Sequence, residues 1–188
     1  MVAAAALIAG CATSSSAHLA PSVAFRTCSG EVGHGGLRVG YRRRALIFGP
    51  LALGDLRTYT AREPLPGTLD GRYGAYEIIA IVTAGAQPVL SLPRSEWTTV
   101  GLIYDPNEFR TDGAYRIRDL EQVVRFRACR SPSFNHGVSQ FDGGFVVSRP
   151  QCVHFTVTAG RRTYRGEFPD VGRRVQGPRG RVQNRRST

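Results

Sequence analysis

Cys152-Val-His-Phe-Thr-Val-Thr158 places an apolar side chain at every second position. This is the period of a β-strand with one buried face. Residues 123–129, Val-Val-Arg-Phe-Arg-Ala-Cys, repeat the alternation. Residues 76–82, Tyr-Glu-Ile-Ile-Ala-Ile-Val, are apolar at both parities, so they predict a central strand that is buried on both faces.

The rest of the region from 38 to 168 also consists of short runs, separated by turn residues such as Gly49-Pro50 and Asp112-Gly113. No stretch has the length and period of an amphipathic helix. Regularly spaced short strands predict an all-β domain, an antiparallel β-sandwich, with a small β-barrel as the alternative. The predicted strands are 44–48, 51–60, 76–83, 87–92, 98–104, 114–118, 122–129, 144–148, 152–158 and 163–168.

The chain of 188 residues has the size of a single domain. Its ends differ in composition from its middle, and this difference predicts the domain organisation. We predict a signal peptide at 1–10, a flexible tether at 11–37, a β-sandwich domain at 38–171 and a disordered Arg-rich tail at 172–188.

The first eleven residues form a short apolar segment that ends at Cys11. It is too short to span a membrane and has the length of a signal-peptide core. Ile8-Ala9-Gly10-Cys11 resembles the lipobox of bacterial lipoproteins. The resemblance implies a diacylglyceryl group on the Cys11 thiol and cleavage before it. The leader lacks the usual basic start, so a plain secretory leader cut elsewhere and a start codon further upstream stay open.

The formal net charge is +11, and every one of the 25 basic residues is Arg. Such an excess has two explanations. A basic surface can bind a polyanion, because it releases counterions from nucleic acid or attracts anionic lipid. Alternatively, a GC-rich genome encodes Arg in preference to Lys. The arginines are scattered and lack interleaved aromatic residues, which disfavours nucleic acid. The tail carries six of them and no acid.

Four cysteines occur in the chain, Cys11, Cys28, Cys129 and Cys152. A disulfide between Cys129 and Cys152 is predicted, because both stand at the edge of a strand pattern and the loop between them is short. Such a bond is typical of an exported domain. Cys28 is then a free thiol or a partner for another molecule, and a bond between Cys11 and Cys28 remains open if Cys11 carries no lipid.

No motif predicts a catalytic, cofactor or metal site. Gly-Val-Ser139-Gln-Phe lacks the second glycine of a serine hydrolase elbow. Cys129, His136, Cys152 and His154 are ligand types for zinc, and Cys152 and His154 share one strand face. However, the spacings that make a zinc assignment specific are absent.

Four segments together resemble an uncharacterised group of secreted or lipid-anchored proteins from high-GC actinobacteria. The segments are residues 97–106, 124–129, 141–147 and 152–155. The resemblance covers less than half of the chain. It implies export and a β-domain, and it brings no activity.

The expected function is therefore that of an exported, lipid-anchored cell-envelope protein that binds or has a structural role without catalysis. Its expected place is the outer face of the cell membrane, or the medium if it is secreted. The expected partners are the membrane, through Cys11, and an anionic envelope polymer or lipid, through the Arg-rich tail. A secreted enzyme acting on cell-wall material and a basic nucleic-acid-binding protein with a misread start are the alternatives.

Overall fold

The structure is a computed structural model that describes residues 20–31, 41–54, 56, 75–104, 115–130, 137–149, 151–168 and 183–185. Strands dominate these ranges, so the all-β prediction is confirmed. The predicted signal peptide and Cys11 lie outside them. Within the same ranges, no helix is long and apolar enough to cross a membrane.

The strands are short because turn residues interrupt the chain every few positions. The one α-helix of the described ranges is α1, Tyr41–Arg44. Short 3₁₀ turns lie at Cys28–Gly30, Arg94–Glu96 and Ile117–Asp119. The strands are β1 Val23–Arg26, β2 Leu46–Phe48, β3 Leu51–Leu53, β4 Ala75–Glu77, β5 Ala80–Thr83, β6 Val89–Ser91, β7 Val100–Ile103, β8 Val123–Phe126, β9 Val138–Phe141, β10 Gly144–Val147, β11 Val153–Ala159, β12 Arg162–Phe168 and β13 Gln183–Arg185.

One sheet of the sandwich, sheet I, has six strands in the order β1-β8-β6-β11-β12-β13. Its longest pairing is the β11–β12 hairpin, in which Val153 lies opposite Phe168 and Ala159 opposite Arg162. β1 runs parallel to β8. The other strand pairs of the described residues are antiparallel.

The other sheet, sheet II, consists of two ladders that continue into each other. The orders are β4-β10-β7 and β2-β3-β5-β9. Glu77 lies opposite Gly144 in the first ladder, and Ala80 lies opposite Phe141 in the second. Between them, the Ile78 N–H donates to the carbonyl of Gly143 at 2.7 Å, which keeps the same register. The two ladders are therefore one bent sheet.

The space between the two sheets is filled by one apolar cluster that takes residues from almost every strand. Five phenylalanines are its largest members with Tyr76 and Tyr104, and they stack edge-on or tilted, as Phe48 does on Phe155 at 5.2 Å between ring centroids. Each such pair adds roughly 0.5–1.5 kcal/mol to the burial of its area. The antiparallel sandwich prediction is therefore confirmed, and the described strands do not close into a barrel.

The outer faces of the two sheets differ. On sheet II, Tyr41 of α1 packs against a cluster with Ala52 and Ile81. The segment 115–120 covers Ile103 and Val146 on the same sheet. On sheet I, the outward side chains are exposed or half-buried, and no described segment covers them. Described segments therefore cover part of the outer face of sheet II, whereas none covers the outer face of sheet I.

Several predicted boundaries need correction. Residues 23–26, placed in the flexible tether, form β1 of sheet I, and residues 183–185, placed in the disordered tail, form β13. The predicted strand at 114–118 is wrong, because Ile117–Asp119 forms a 3₁₀ turn. The continuous apolar run at 76–83 is divided between β4 and β5, because sheet II bends there.

The bend in sheet II predicts that Gly144 tolerates no side chain. A Cβ on Gly144 would collide with the backbone carbonyl of Tyr76. This carbonyl cannot move aside, because Tyr76 is paired in the β4–β10 ladder. We expect Gly144→Ala to lower the free energy of unfolding by about 3 kcal/mol or more, measured by urea denaturation. Gly30→Ala is the control, because nothing lies within 4 Å of its added Cβ. Equal stability of the two variants would contradict the close approach.

Candidate functional site

The disulfide of the structure joins Cys28 to Cys129, and Cys152 is a free, exposed thiol. The predicted Cys129–Cys152 bond is therefore wrong, and so is the free Cys28. Cys152 directly precedes β11, which begins at Val153, whereas Cys129 follows β8, which ends at Phe126. In sheet I, β6 lies between these two strands, so they are not neighbours.

The parallel pairing of β1 and β8 explains the observed bond. Arg26 lies opposite Phe126, and the Arg127 N–H donates to the carbonyl of Arg26 at 2.7 Å. Parallel strands in register bring the residues that follow them to the same end of the sheet. Cys28 and Cys129 are those residues, and their Cα atoms lie 4.8 Å apart. The bond fastens the edge strand to the sheet.

A carboxylate lies against this disulfide. Glu31 Oε2 is 2.8 Å from Cys129 Sγ, and Cys28, Glu31 and Cys129 hold three candidate metal-ligand atoms within 4.8 Å of one another. Both sulfurs are committed to the disulfide and carry no thiolate charge. This cluster therefore offers a metal only one effective ligand.

A second group of titratable side chains surrounds the start of β11. His154 Nδ1 lies 2.6 Å from Glu96 Oε1, with 57% of the His154 side chain but only 9% of the Glu96 side chain exposed. The backbone N–H of His154 also donates to both carboxylate oxygens, at 3.0 and 3.1 Å. Cys152 is exposed two positions earlier, on the same face as His154. Glu96 thus fixes the imidazole and leaves its other nitrogen to solvent.

Glu96 occupies this place because β6 ends at Ser91, which pairs with Thr156. Pro93 then begins the 3₁₀ turn Arg94–Glu96, so no strand continues beside His154. The Glu96 carboxylate accepts the hydrogen bond that a neighbouring strand would otherwise accept. Nothing in the local sequence identifies this contact, because it joins positions 58 residues apart.

The uncovered face of sheet I is polar and basic. Arg125 lies 5.9 Å from the ring centroid of Phe25, which is 64% exposed. The central positions carry hydroxyls, and Ser91 Oγ and Thr156 Oγ1 are 2.6 Å apart. Glu167 is an exposed acid at the same face. We call the following residues the basic face: Ser91, Arg125, Arg127, Thr156, Thr158, Thr163 and Arg165.

Two hairpin turns and the turn that connects β5 to β6 form a cleft of about 700 Å³ at one end of the sandwich. Gly49, Gly85 and Gly160 all have positive φ there, as turns between strands require. Arg162, Gln87 and Tyr164 supply the polar groups of the lining.

Among the described residues, Glu77 and Tyr104 have raised pKa values. Burial raises the pKa of Glu77 above its usual value of 4.5, and the negative charge of Asp142 raises it further. Burial also raises the pKa of Tyr104, whose hydroxyl donates to the carbonyl of Ile78 at 3.0 Å. Glu77, Asp142 and Tyr104 do not line the cleft described above.

The residues weighed from the sequence for catalysis and zinc are dispersed. Ser139 is fully buried, and its Oγ accepts a hydrogen bond from the Cys129 N–H at 2.8 Å, which is a structural role. Cys129 is in the disulfide, and His136 lies outside the described residues. Of the members of the zinc set that the structure describes, Cys152 and His154 are the exposed pair, two positions apart. No family model, curated protein or solved structure matches the chain.

The Cys28–Cys129 bond predicts unequal effects of cysteine replacement. It closes a loop with a sequence separation of 101, so its removal by Cys28→Ser with Cys129→Ser should lower the free energy of unfolding by about 2–5 kcal/mol. Cys152→Ser is the control and should change it by less than about 0.5 kcal/mol, because the side chain is exposed. Urea denaturation measures both, and non-reducing peptide mapping identifies the bond. A Cys129–Cys152 peptide would contradict the pairing.

Proposed function

We propose that the protein is an extracytoplasmic binding domain, lipid-anchored at Cys11, that binds an anionic cell-envelope polymer through the basic face of sheet I. The observation that carries the proposal is the difference between the two sheets. Described segments cover the outer surface of sheet II, while the outer surface of sheet I carries arginines and hydroxyls exposed to solvent.

Export is supported by the Cys28–Cys129 disulfide. Disulfides persist in oxidising compartments and are rare in the cytosol, where thiols are kept reduced. The bond also holds β1 in the sheet, and β1 follows the segment that resembles a leader and tether. An anchor at Cys11 would therefore connect to sheet I at its edge strand.

An anionic polymer suits the shape and chemistry of the basic face. A β-sheet presents side chains at regular intervals, as a repeating polymer requires. Arginine forms paired hydrogen bonds to phosphate or carboxylate, and hydroxyls satisfy sugar or glycerol oxygens. At the far edge, β13 brings residues 183–185 of the Arg-rich tail beside β12, with Arg185 in register opposite Thr163. β13 thereby adds a further arginine position to the edge of the same sheet.

Charge reversal on the basic face tests this surface. We expect Arg125→Glu with Arg165→Glu to weaken binding to poly(glycerol phosphate) by roughly tenfold or more at low salt, since each cation near an anionic surface adds on the order of 1 kcal/mol. Wild-type binding should also weaken as salt increases. Fluorescence anisotropy of labelled polymer measures both effects.

The matched control is Arg42→Glu with Arg43→Glu, which changes the same charge on α1, on the side of sheet II. This variant should retain most of the affinity. Equal losses in the two double variants would show that only net charge matters and would contradict a defined face. Tighter binding to DNA than to the polymer would favour the nucleic-acid alternative.

The anchor makes a separate prediction. Mass spectrometry of the native protein from a membrane fraction should find a mature amino terminus at Cys11 that carries acyl chains. Cys11→Ala should move the protein out of the membrane fraction, because without the lipid only the Arg-rich tail attracts the protein to the membrane, and one weak attachment does not anchor it stably. Cys152→Ser should leave the fractionation unchanged. Retention of Met1, or an unmodified terminus beyond residue 11, would contradict the anchor.

A further inference from the structure

We propose a metal site on the outer surface of sheet I, in which Cys152 Sγ, His154 Nε2 and the Glu167 carboxylate bind a divalent zinc-type ion. Glu96 is the positioning residue behind His154. The site lies on the same outer surface of sheet I as the basic face, but none of its three ligands is a basic-face residue, and the proposal does not rest on polymer binding.

The contact between Glu96 and His154 is the first observation. A histidine that binds a metal through one ring nitrogen usually donates its other N–H to a carboxylate, which fixes the tautomer and raises the basicity of the ligand. Here Glu96 Oε1 lies 2.6 Å from Nδ1, while the side chain of His154 is 57% exposed. With the proton held at Nδ1, the lone pair of Nε2 is directed away from Glu96 and is free to bind an ion.

The register of the β11–β12 hairpin supplies the other two ligands. Glu167 lies directly opposite His154, and side chains of directly opposite residues start about 5 Å apart on the same face. Cys152 precedes His154 by two positions, so it stands on that face about one strand repeat away. Cys152, His154 and Glu167 are all exposed, while Val153 between the first two is buried.

The Cys152, His154 and Glu167 side chains are not gathered around one point. In the described part of the chain, only Cys28, Glu31 and Cys129 already hold three candidate ligand atoms within 4.8 Å. However, the Cys28 and Cys129 sulfurs are disulfide-bonded. At the proposed site all three ligands are on the surface and can turn to a common ion, while the buried carboxylate keeps the central imidazole in place.

The donor set indicates which ions fit. One thiolate, one imidazole and one carboxylate match zinc, which accepts sulfur, nitrogen and oxygen in a tetrahedron and keeps water as the fourth ligand of an open site. Calcium and magnesium prefer oxygen ligands alone. Binding forms a Zn–S bond and releases the Cys152 thiol proton to solvent, with no change in oxidation state. A bound ion would also keep an exposed thiol in the reduced state.

Titration of the folded, tag-free protein with metal alone tests the site. We expect Zn²⁺ to bind with a stoichiometry of one by calorimetry, and Co²⁺ to give the near-ultraviolet charge-transfer band of a cobalt–thiolate bond. Cys152→Ser should abolish that band. His154→Gln and Glu167→Gln should each weaken Zn²⁺ binding at least tenfold.

The role of Glu96 is tested by Glu96→Gln, which keeps an oxygen to accept the backbone N–H of His154 but loses the negative charge. We expect a loss of roughly 10–100-fold in Zn²⁺ affinity, as for other outer ligands, with the Co²⁺ band retained. Thr158→Ala, on the same strand face, is the control and should bind Zn²⁺ as the wild type does. Absence of the cobalt–thiolate band in wild-type protein, or Zn²⁺ affinity unchanged by Cys152→Ser and His154→Gln, would overturn the proposal.

Discussion

A single apolar core between two sheets is the constraint on which the other features of this structure depend. Every strand of the described ranges that enters it must turn one row of side chains inward, and the aromatic residues from both sheets meet there. Sheet II is covered on its outer side as well, by Tyr41 and by the segment 115–120. Among the described residues, the outside of sheet I is the sheet face that no segment covers, and both proposed sites lie on it because its side chains are exposed or half-buried.

The edge of sheet I is where covalent chemistry supplements this packing. β1 has only four residues and one neighbouring strand, and one of its outward side chains, Phe25, is mostly exposed. So short an edge strand buries little apolar area and would separate readily from β8. The Cys28–Cys129 bond limits that separation, because a cross-link reduces the freedom of the opened chain. Arg26, the last residue of β1, also contacts Glu121 at 3.8 Å, and both side chains are largely buried.

The sequence predicted the fold class because alternation within a strand is a local property. The strands predicted at 152–158 and 122–129 appear as β11, Val153–Ala159, and β8, Val123–Phe126, with the inward residues expected from their parity. Pairing between strands is not local. The predicted Cys129–Cys152 bond assumed that a short loop implies nearby ends, whereas β6 separates those strands and the parallel partner of β8 comes from residues 23–26. That segment has four residues and no flanking pattern, so composition alone placed it in a tether.

The same distinction explains why half of the proposed metal site was visible in the sequence and half was not. Cys152 and His154 are two positions apart, and this spacing alone predicts that they share a strand face. Glu167 joins them only through the hairpin register. Glu96 joins them only because β6 ends at Ser91 and leaves the backbone N–H of His154 without a strand partner. A carboxylate buried for that structural reason also orients an exposed imidazole. Glu96 therefore has two roles: it accepts the backbone N–H at the edge of the sheet, and it orients the His154 imidazole as a ligand. Only a substitution that removes the negative charge of Glu96 and keeps its hydrogen bond to the backbone separates these roles.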